Sequence, residues 1–243
     1  SQVENIKSYL NTLGISGEYV YPTSVQTVEQ LIESAVSKQY TTIVAIGDDN
    51  LINEVATMLV GRKEAMGAIP VDASPELSHL IGTSDWKEAC NILRFRKINE
   101  IRLGRTSTGN CFITGISLDI KAPVDITVEF KDCIVQSRAK NFNIYNFSSN
   151  IQKIGEDFLD ITFDSISYSD SFSKKISSLF KVASKEEYLS KSFFRARSLR
   201  IFTKSQIPIL RHNTTIAKTP QYIESTDEKL RLINAKKINN FWS

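Results

Sequence analysis

Thr41 to Leu59, TTIVAIGDDNLINEVATML, is the stretch that most narrows what this chain can fold into. Ile43 to Ile46 fits a short apolar strand, Gly47 and the acidic pair Asp48-Asp49 break it, and Ile52, Val55, Ala56 and Leu59 then recur at helical spacing. A strand that passes through a glycine turn into a helix N-terminus is the joint of α/β proteins. Its free backbone N–H groups and the helix dipole both favour an anion, so the turn is a candidate phosphate site. The same acids also have a plain structural use, because carboxylates at a helix N-terminus offset its dipole.

The flanking sequence extends the α/β pattern. Val3, Ile6, Leu10 and Leu13 mark a helix stopped at Gly14, and Glu18 to Tyr21 reads as a short strand. Pro22-Thr23-Ser24 opens a turn, and Ser24 or Thr27 caps a helix with Val28, Leu31, Ile32 and Ala35 inward. Trp86 to Leu93 reads as a helix and Ile98 to Gly104 as a strand. This alternation predicts a parallel sheet covered by helices.

Beyond Gly104 the period changes to two. Cys111–Leu118, Val124–Phe130, Cys133–Ser137, Phe142–Phe147, Leu159–Phe163, Leu199–Phe202 and Lys229–Ile233 are short alternating runs between polar turns. Such runs predict an antiparallel β-sandwich. Lys174–Phe180 and Lys185–Leu189 read as short helices between strands, and the Ser-rich run 165–178 as a solvated loop. The expected fold is an α/β N-terminal domain, residues 1–97, followed by an antiparallel β-sandwich domain, residues 98–243, with a cleft between them.

Composition excludes several classes of function. With 41% hydrophobic and 23% charged residues among 243, the chain has the make-up of a soluble globular protein. A net charge of +3 is too mild to argue for nucleic acid, though it suits loose attraction to an anionic membrane surface. Cys90, Cys111 and Cys133 are odd in number and lack metal-type spacing, which points to buried free thiols in a reducing compartment. No apolar run spans a bilayer and no secretory leader opens the chain, so the expected location is the cytoplasm, at most peripheral to a membrane. Walker, HExxH, GxSxG and paired-cysteine motifs are missing. Arg195, Arg197 and Arg200 alternate with Phe193, Phe194, Leu199 and Phe202, which reads first as a solvated strand face and second as a face for phosphates or lipid headgroups.

Gly47 to Val55, GDDNLINEV, resembles the G-G-D-G-T-L-N-E-V loop of the diacylglycerol kinase and sphingosine kinase superfamily, which is related to the NAD kinases. Gly47, Asp49, Asn53, Glu54 and Val55 match, while Asp48, Asn50 and Leu51 depart. The run 65–82 resembles the second nucleotide loop of that superfamily, L-G-I-I-P-x-G-T-x-N-D-F-A-R-x-L-G. Pro70 and Gly82 match there, but Asp72, Ala73, Pro75 and His79 stand where the family has Gly, Thr, Asn and Arg. Arg102-Leu103-Gly104 continues the likeness, and the run 155–161 is similar to the D-D-G-L-L-D-V segment of the family's second domain. Counting back from Thr219-Pro220 places His212-Asn213-Thr214 on the D-G-E turn that carries the family's catalytic base. The family has one more strand and an Asn-Pro turn before the first helix, and this chain starts after that point.

The resemblance implies ATP-dependent phosphoryl transfer to a lipid hydroxyl with Mg²⁺. It places Asp49 on the phosphate or metal side and His212 in the position of the family acid. It further implies nucleotide contacts from Thr23, Gly47, Asp48, Asn50, Asn53, Glu54, Pro70, Asp72, Ala73 and Ser74. Asp48 adds a second negative charge that repels phosphate unless a cation lies between them. Both acids of the base turn are replaced, and histidine does not supply a carboxylate's charge to Mg²⁺. Two expectations therefore stand side by side. One is a lipid kinase of the diacylglycerol type, and the other is a catalytically degraded relative, a pseudokinase, that binds a nucleotide, lipid or protein partner. NAD phosphorylation is third, because the anchors in the second half are those of lipid kinases.

Overall fold

Side-chain caps define where most of the helices begin. Thr27 and Gln30 form a reciprocal capping box at the start of the second helix, with Thr27 Oγ1 accepting from Gln30 N at 3.3 Å and Gln30 Oε1 accepting from Thr27 N at 3.0 Å. Asp48, Ser74 and Asp85 cap the next three helices through their own side-chain oxygens. The computed structural model describes residues 2–146, 157–168 and 187–235.

The elements run in chain order as α1 (Gln2–Thr12), α2 (Val28–Ser37), β1 (Thr42–Gly47), α3 (Asp49–Leu59), β2 (Ala65–Pro70), α4 (Pro75–Ile81) and α5 (Trp86–Phe95). Strands follow: β3 (Ile98–Thr106), β4 (Cys111–Phe112), β5 (Gly115–Leu118), β6 (Val124–Glu129), β7 (Ile134–Tyr145), β8 (Leu159–Tyr168) and β9 (Glu187–Ala196). The last four are β10 (Ser198–Thr203), β11 (Pro208–Arg211), β12 (Thr214–Lys218) and β13 (Gln221–Ile233).

β1 and β2 pair in parallel, Gly47 opposite Pro70, and the far side of β2 takes the end of β13, Leu232 opposite Met66, also in parallel. β13 runs antiparallel to β3 along most of its length and, at its other end, pairs with β10. The order continues β10-β6-β7-β5-β11-β12, with β8 and β9 branching from β7 and β4 from β3. Among the described residues the result is a mixed sheet of thirteen hydrogen-bonded strands with helices on both faces of its parallel end. β13 is the strand common to the parallel and antiparallel parts.

Packing follows from the two periodicities. Ile52, Val55, Ala56 and Leu59 of α3 meet Val28, Ile32, Leu77, Leu80, Met66 and Leu232 on one face, while Ile6, Leu10, Ala89, Cys90 and Leu93 cover Ala65 and Ile69 on the other. A third core lies among the antiparallel strands, where Phe142 and Phe163 stack at 5.6 Å and Phe163 stacks again on Phe194 at 5.6 Å. Each fully buried aliphatic or aromatic side chain contributes about 1.5–3 kcal/mol. Gly104 is required for the seat of Phe112, because a Cβ there would fall 2.0 Å from the Phe112 ring.

Several expectations change. Glu18 to Tyr21 is irregular rather than a strand, since among the described residues no strand lies beside it to pair, and β1 ends the sheet order. Cys133–Ser137 and Phe142–Phe147 are not separate strands. Ile134 to Tyr145 is one long β7 with a register shift between Ala139 and Asn141. Glu187 to Leu189, expected in a helix, begin β9 because they pair with β8, Tyr168 opposite Glu187 and Ile166 opposite Leu189. Residues 155–156, the expected helix 174–180 and residues 169–178 of the Ser-rich run lie outside the described residues, and Cys133, expected to be buried, is exposed. Among the described residues no helix is long and apolar enough to cross a membrane.

Candidate functional site

Two loops meet at the ends of the parallel strands. β1 ends at Gly47, and Asp48 in extended backbone (φ −78°, ψ 178°) caps α3 by accepting from Leu51 N at 3.0 Å. Val71 N donates to Gly47 O at 2.9 Å and holds the second loop against the first. Ser74 caps α4, its Oγ accepting from Leu77 N at 3.2 Å, with Pro75 at the first helical position. Between them Asp72, on the position of a family glycine, has φ +54°. The left-handed turn that a glycine favours is kept with an aspartate in it.

Asp49, 6% exposed at the first position of α3, joins the loops. Its Oδ2 accepts from Ser74 N and its Oδ1 from Ser74 Oγ, both at 2.6 Å. Asn53, 1% exposed, donates to Asp49 O and accepts from Ile113 N, each at 2.8 Å, which fastens the first turn of α3 to the chain after β4.

The third component comes from far along the chain. β11 and β12 form a hairpin, Arg211 opposite Thr214, with the two-residue turn His212-Asn213. His212 at φ +54° places Nε2 2.9 Å from Asp49 Oδ1. The contact is electrostatic in character, since the imidazole N–H is out of line for a well-formed hydrogen bond. Thr214 Oγ1 donates to Asn50 Oδ1 at 3.4 Å. Arg211 Nη1 donates to Cys111 O at 2.9 Å, and Asn110 Nδ2 to Ile216 O at 2.8 Å, holding the hairpin to the β3–β4 turn.

Burial by itself would raise the Asp49 pKa. The His212 imidazole beside it, the Ser74 hydroxyl and the Ser74 backbone N–H together outweigh it and hold the carboxyl below the ordinary carboxylate value. Asp49 is therefore an anion at neutral pH with its charge already answered by the protein. Beside it, Ala73, Pro75, Ser78, His79 and Thr83 line an open cleft of about 500 Å³ along α4.

The structure thus brings together Gly47, Asp48, Asp49, Asn50, Asn53, Pro70, Ser74 and His212. Asn53 and Pro70 are buried, so they shape the loops from beneath, and Ala73 packs partly on the core while lining the cleft. Asp72 and Glu54 are exposed at the rim. Thr23 is placed differently, its hydroxyl accepting from Val25 N and Gln26 N within its own exposed turn. Arg211, Ser78 and Thr83 escaped the sequence reading. For Arg211 a signal existed, an arginine closing the otherwise apolar run Ile207–Leu210 just before the turn.

The residues present do not fit Mg²⁺. A hard cation needs several oxygen ligands, yet both Asp49 oxygens face N–H or O–H donors and the facing turn offers His212, Asn213 and Thr214. No group of three or more His, Cys, Asp or Glu able to hold a metal occurs among the described residues.

A parallel α/β sheet with an acidic loop at its edge, completed by antiparallel strands, defines the fold class shared with an NAD kinase from Archaeoglobus fulgidus solved in complex with ATP. The two superpose with a TM-score of 0.52 at 14% identity, over 98% of this chain and 91% of that one. A diacylglycerol kinase from Bacillus anthracis str. Sterne superposes with a TM-score of 0.67 at 14% identity, over 88% of this chain and 83% of that one. At these identities the likeness is one of fold. Residues 1–106 match the diacylglycerol kinase catalytic domain family, so the superfamily resemblance carried by the Gly47 loop holds for the part of the chain that contains the Gly47 and Ser74 loops. No curated protein matches the sequence.

Proposed function

We propose that this diacylglycerol-kinase-like chain binds a nucleotide at the Gly47 and Ser74 loops and does not transfer its phosphate. The observation that carries the reading is that backbone donors of both loops are engaged by the chain's own carboxylates, Leu51 N by Asp48 and Ser74 N by Asp49. The facing turn meanwhile holds His212, Asn213 and Thr214 where the resemblance implies an acidic base turn. A phosphoryl-transfer site needs donors aimed at phosphate, neutralised charge and a base on the attacking hydroxyl. Here the cleft beside His79 is left to receive the uncharged part of the ligand. In this reading residues 1–97 are the nucleotide-facing unit and residues 98–243 the unit that meets a lipid or protein partner, in the cytoplasm or at an anionic membrane surface.

A second reading is favoured by one contact. With Nε2 held 2.9 Å from Asp49, His212 takes the proton of a lipid hydroxyl on Nδ1 as that oxygen bonds to the terminal phosphorus of ATP and the bond to ADP breaks, releasing ADP. Calorimetric titration of Mg-ATP into wild type and Asp49→Ala, paired with a transfer assay from labelled ATP to a lipid extract and to NAD, separates the two. The binding reading expects saturable nucleotide binding that is lost in Asp49→Ala, with no labelled product. Labelled lipid that disappears in His212→Ala establishes the kinase reading instead, and no nucleotide binding at millimolar concentration overturns both.

A further inference from the structure

We propose that Arg211 receives an oxyanion of phosphate type carried by the ligand of this site, an inference that rests on the binding reading above and names the part of the ligand that reaches the hairpin. The guanidinium is half-buried, and among the described residues no carboxylate is hydrogen-bonded to it. Its Nη1 donates to the Cys111 carbonyl at 2.9 Å, while its Nε is buried and has no hydrogen-bond partner. The exposed Glu54 acts on it only through space. The Cys111 thiol beside it supplies no negative charge either, because burial pushes its pKa up and keeps it protonated at neutral pH.

An arginine cannot escape this cost by losing its proton, as a buried lysine or carboxylic acid does. A charged donor left without a partner in the interior is expensive, and such groups gather at sites completed by a ligand. The neighbouring residue repeats the pattern, since His212 Nε2 is also buried without a well-formed hydrogen bond. Two consecutive residues of one hairpin thus hold buried N–H donors at the side of α3. The local carboxylates do not cancel the attraction, because Asp48 is bound by Leu51 N and Asp49 by Ser74 and His212. The planar fork of arginine suits the oxygens of a phosphate group.

A phosphate oxyanion reaches this place either on a nucleotide or on a phosphorylated lipid. Isothermal titration of inorganic phosphate into the full chain, at constant ionic strength, tests the anion itself. Saturable binding is expected, weakened about tenfold or more in Arg211→Met, as befits loss of a charged hydrogen bond. In Arg211→Lys, which keeps the charge but not the fork, the loss should be smaller. Each variant is first checked by circular dichroism for wild-type secondary structure, and Arg211→Lys carries the test if Arg211→Met fails to fold. Equal binding by wild type and variant, or no saturable binding by wild type, overturns the proposal.

Competition then identifies the source. ADP without metal displacing phosphate assigns the site to a nucleotide, and phosphatidylcholine vesicles doing so only when they contain phosphatidate assign it to a lipid. If neither competes while Arg211-dependent binding persists, the site takes free phosphate. Asp49→Ala keeps this experiment distinct from the previous one. Phosphate binding that needs Arg211 without any Mg-ATP binding removes the nucleotide reading and leaves the anion site standing, and the opposite pair of results does the reverse.

Discussion

The loops that lead into α3 and α4 each carry an aspartate where the motif they resemble has glycine, with different physical results. Asp48 lies in extended backbone that any residue adopts, and its carboxylate became the cap of α3. Asp72 lies at φ +54°, where a side chain is tolerated but not favoured, and it is exposed at the rim. The lesson is that an aspartate on a glycine position of a strand-to-helix loop is not one kind of substitution. At the first loop a new side chain takes over a backbone donor, and at the second the turn survives with a carboxylate added to it. Asp49 couples the loops, so a change in one is felt in the other.

The largest expected effect comes from breaking that coupling. Asp49→Ala leaves the Ser74 N–H, the Ser74 hydroxyl and His212 without their acceptor, and urea unfolding should record a loss of about 3 kcal/mol. The same carboxylate predicts an acid limb. Because its folded pKa lies below the unfolded value, its stabilisation is fully present above the ordinary carboxylate range, about 3.9, and is lost as pH falls through the lower folded value. The stability gap between wild type and Asp49→Asn should therefore stay level from pH 7 to about pH 5 and close only on stronger acidification. A gap that closes well above pH 5 would overturn this assignment to the Asp49 carboxylate.

Next in size is the cap. Asp48→Ala should cost about 1 kcal/mol and Asp48→Gly only a few tenths, since glycine itself is an acceptable cap residue. A loss in Asp48→Gly as large as in Asp48→Ala would mean that the carboxylate does more than cap. Smallest, and opposite in sign, is Asp72→Gly. Relief of the left-handed backbone, partly offset by a looser unfolded chain, should raise stability by about 0.5 kcal/mol, and Asp72→Ala should lower it. If Asp72→Gly is destabilising, the aspartate side chain has a contact that the turn depends on.

Legibility in the sequence tracked how local each signal was. Caps and apolar periodicity at Thr27, Asp48, Trp86 and Ile98 place α2, α3, α5 and β3 within a residue or two of where they lie. Glu18 to Tyr21 has the composition of a strand but lacks a neighbour, and Glu187 to Leu189 are strand only because β8 is beside them. Those outcomes depend on distant residues that a local pattern cannot register. At the site, the superfamily likeness of the Gly47 loop and the spacing from Thr219-Pro220 singled out Asp49 and His212, and the two side chains lie 2.9 Å apart. The saturation of Asp49 by Ser74 and the lack of a carboxylate hydrogen-bonded to Arg211 among the described residues were not legible, because each depends on what three separated segments do together.

The place of β13 has a consequence for synthesis. Leu232 sits beside Met66, so β2 gains its second neighbour only after the ribosome has delivered residues 229–233, more than one hundred and fifty positions later. Until then the nascent chain carries an exposed apolar strand edge, the kind of surface that chaperones hold and that pairs wrongly when crowded. Folding of the loop-bearing half thus waits for β13, and a truncated product lacking β13 is expected to be cleared rather than to accumulate.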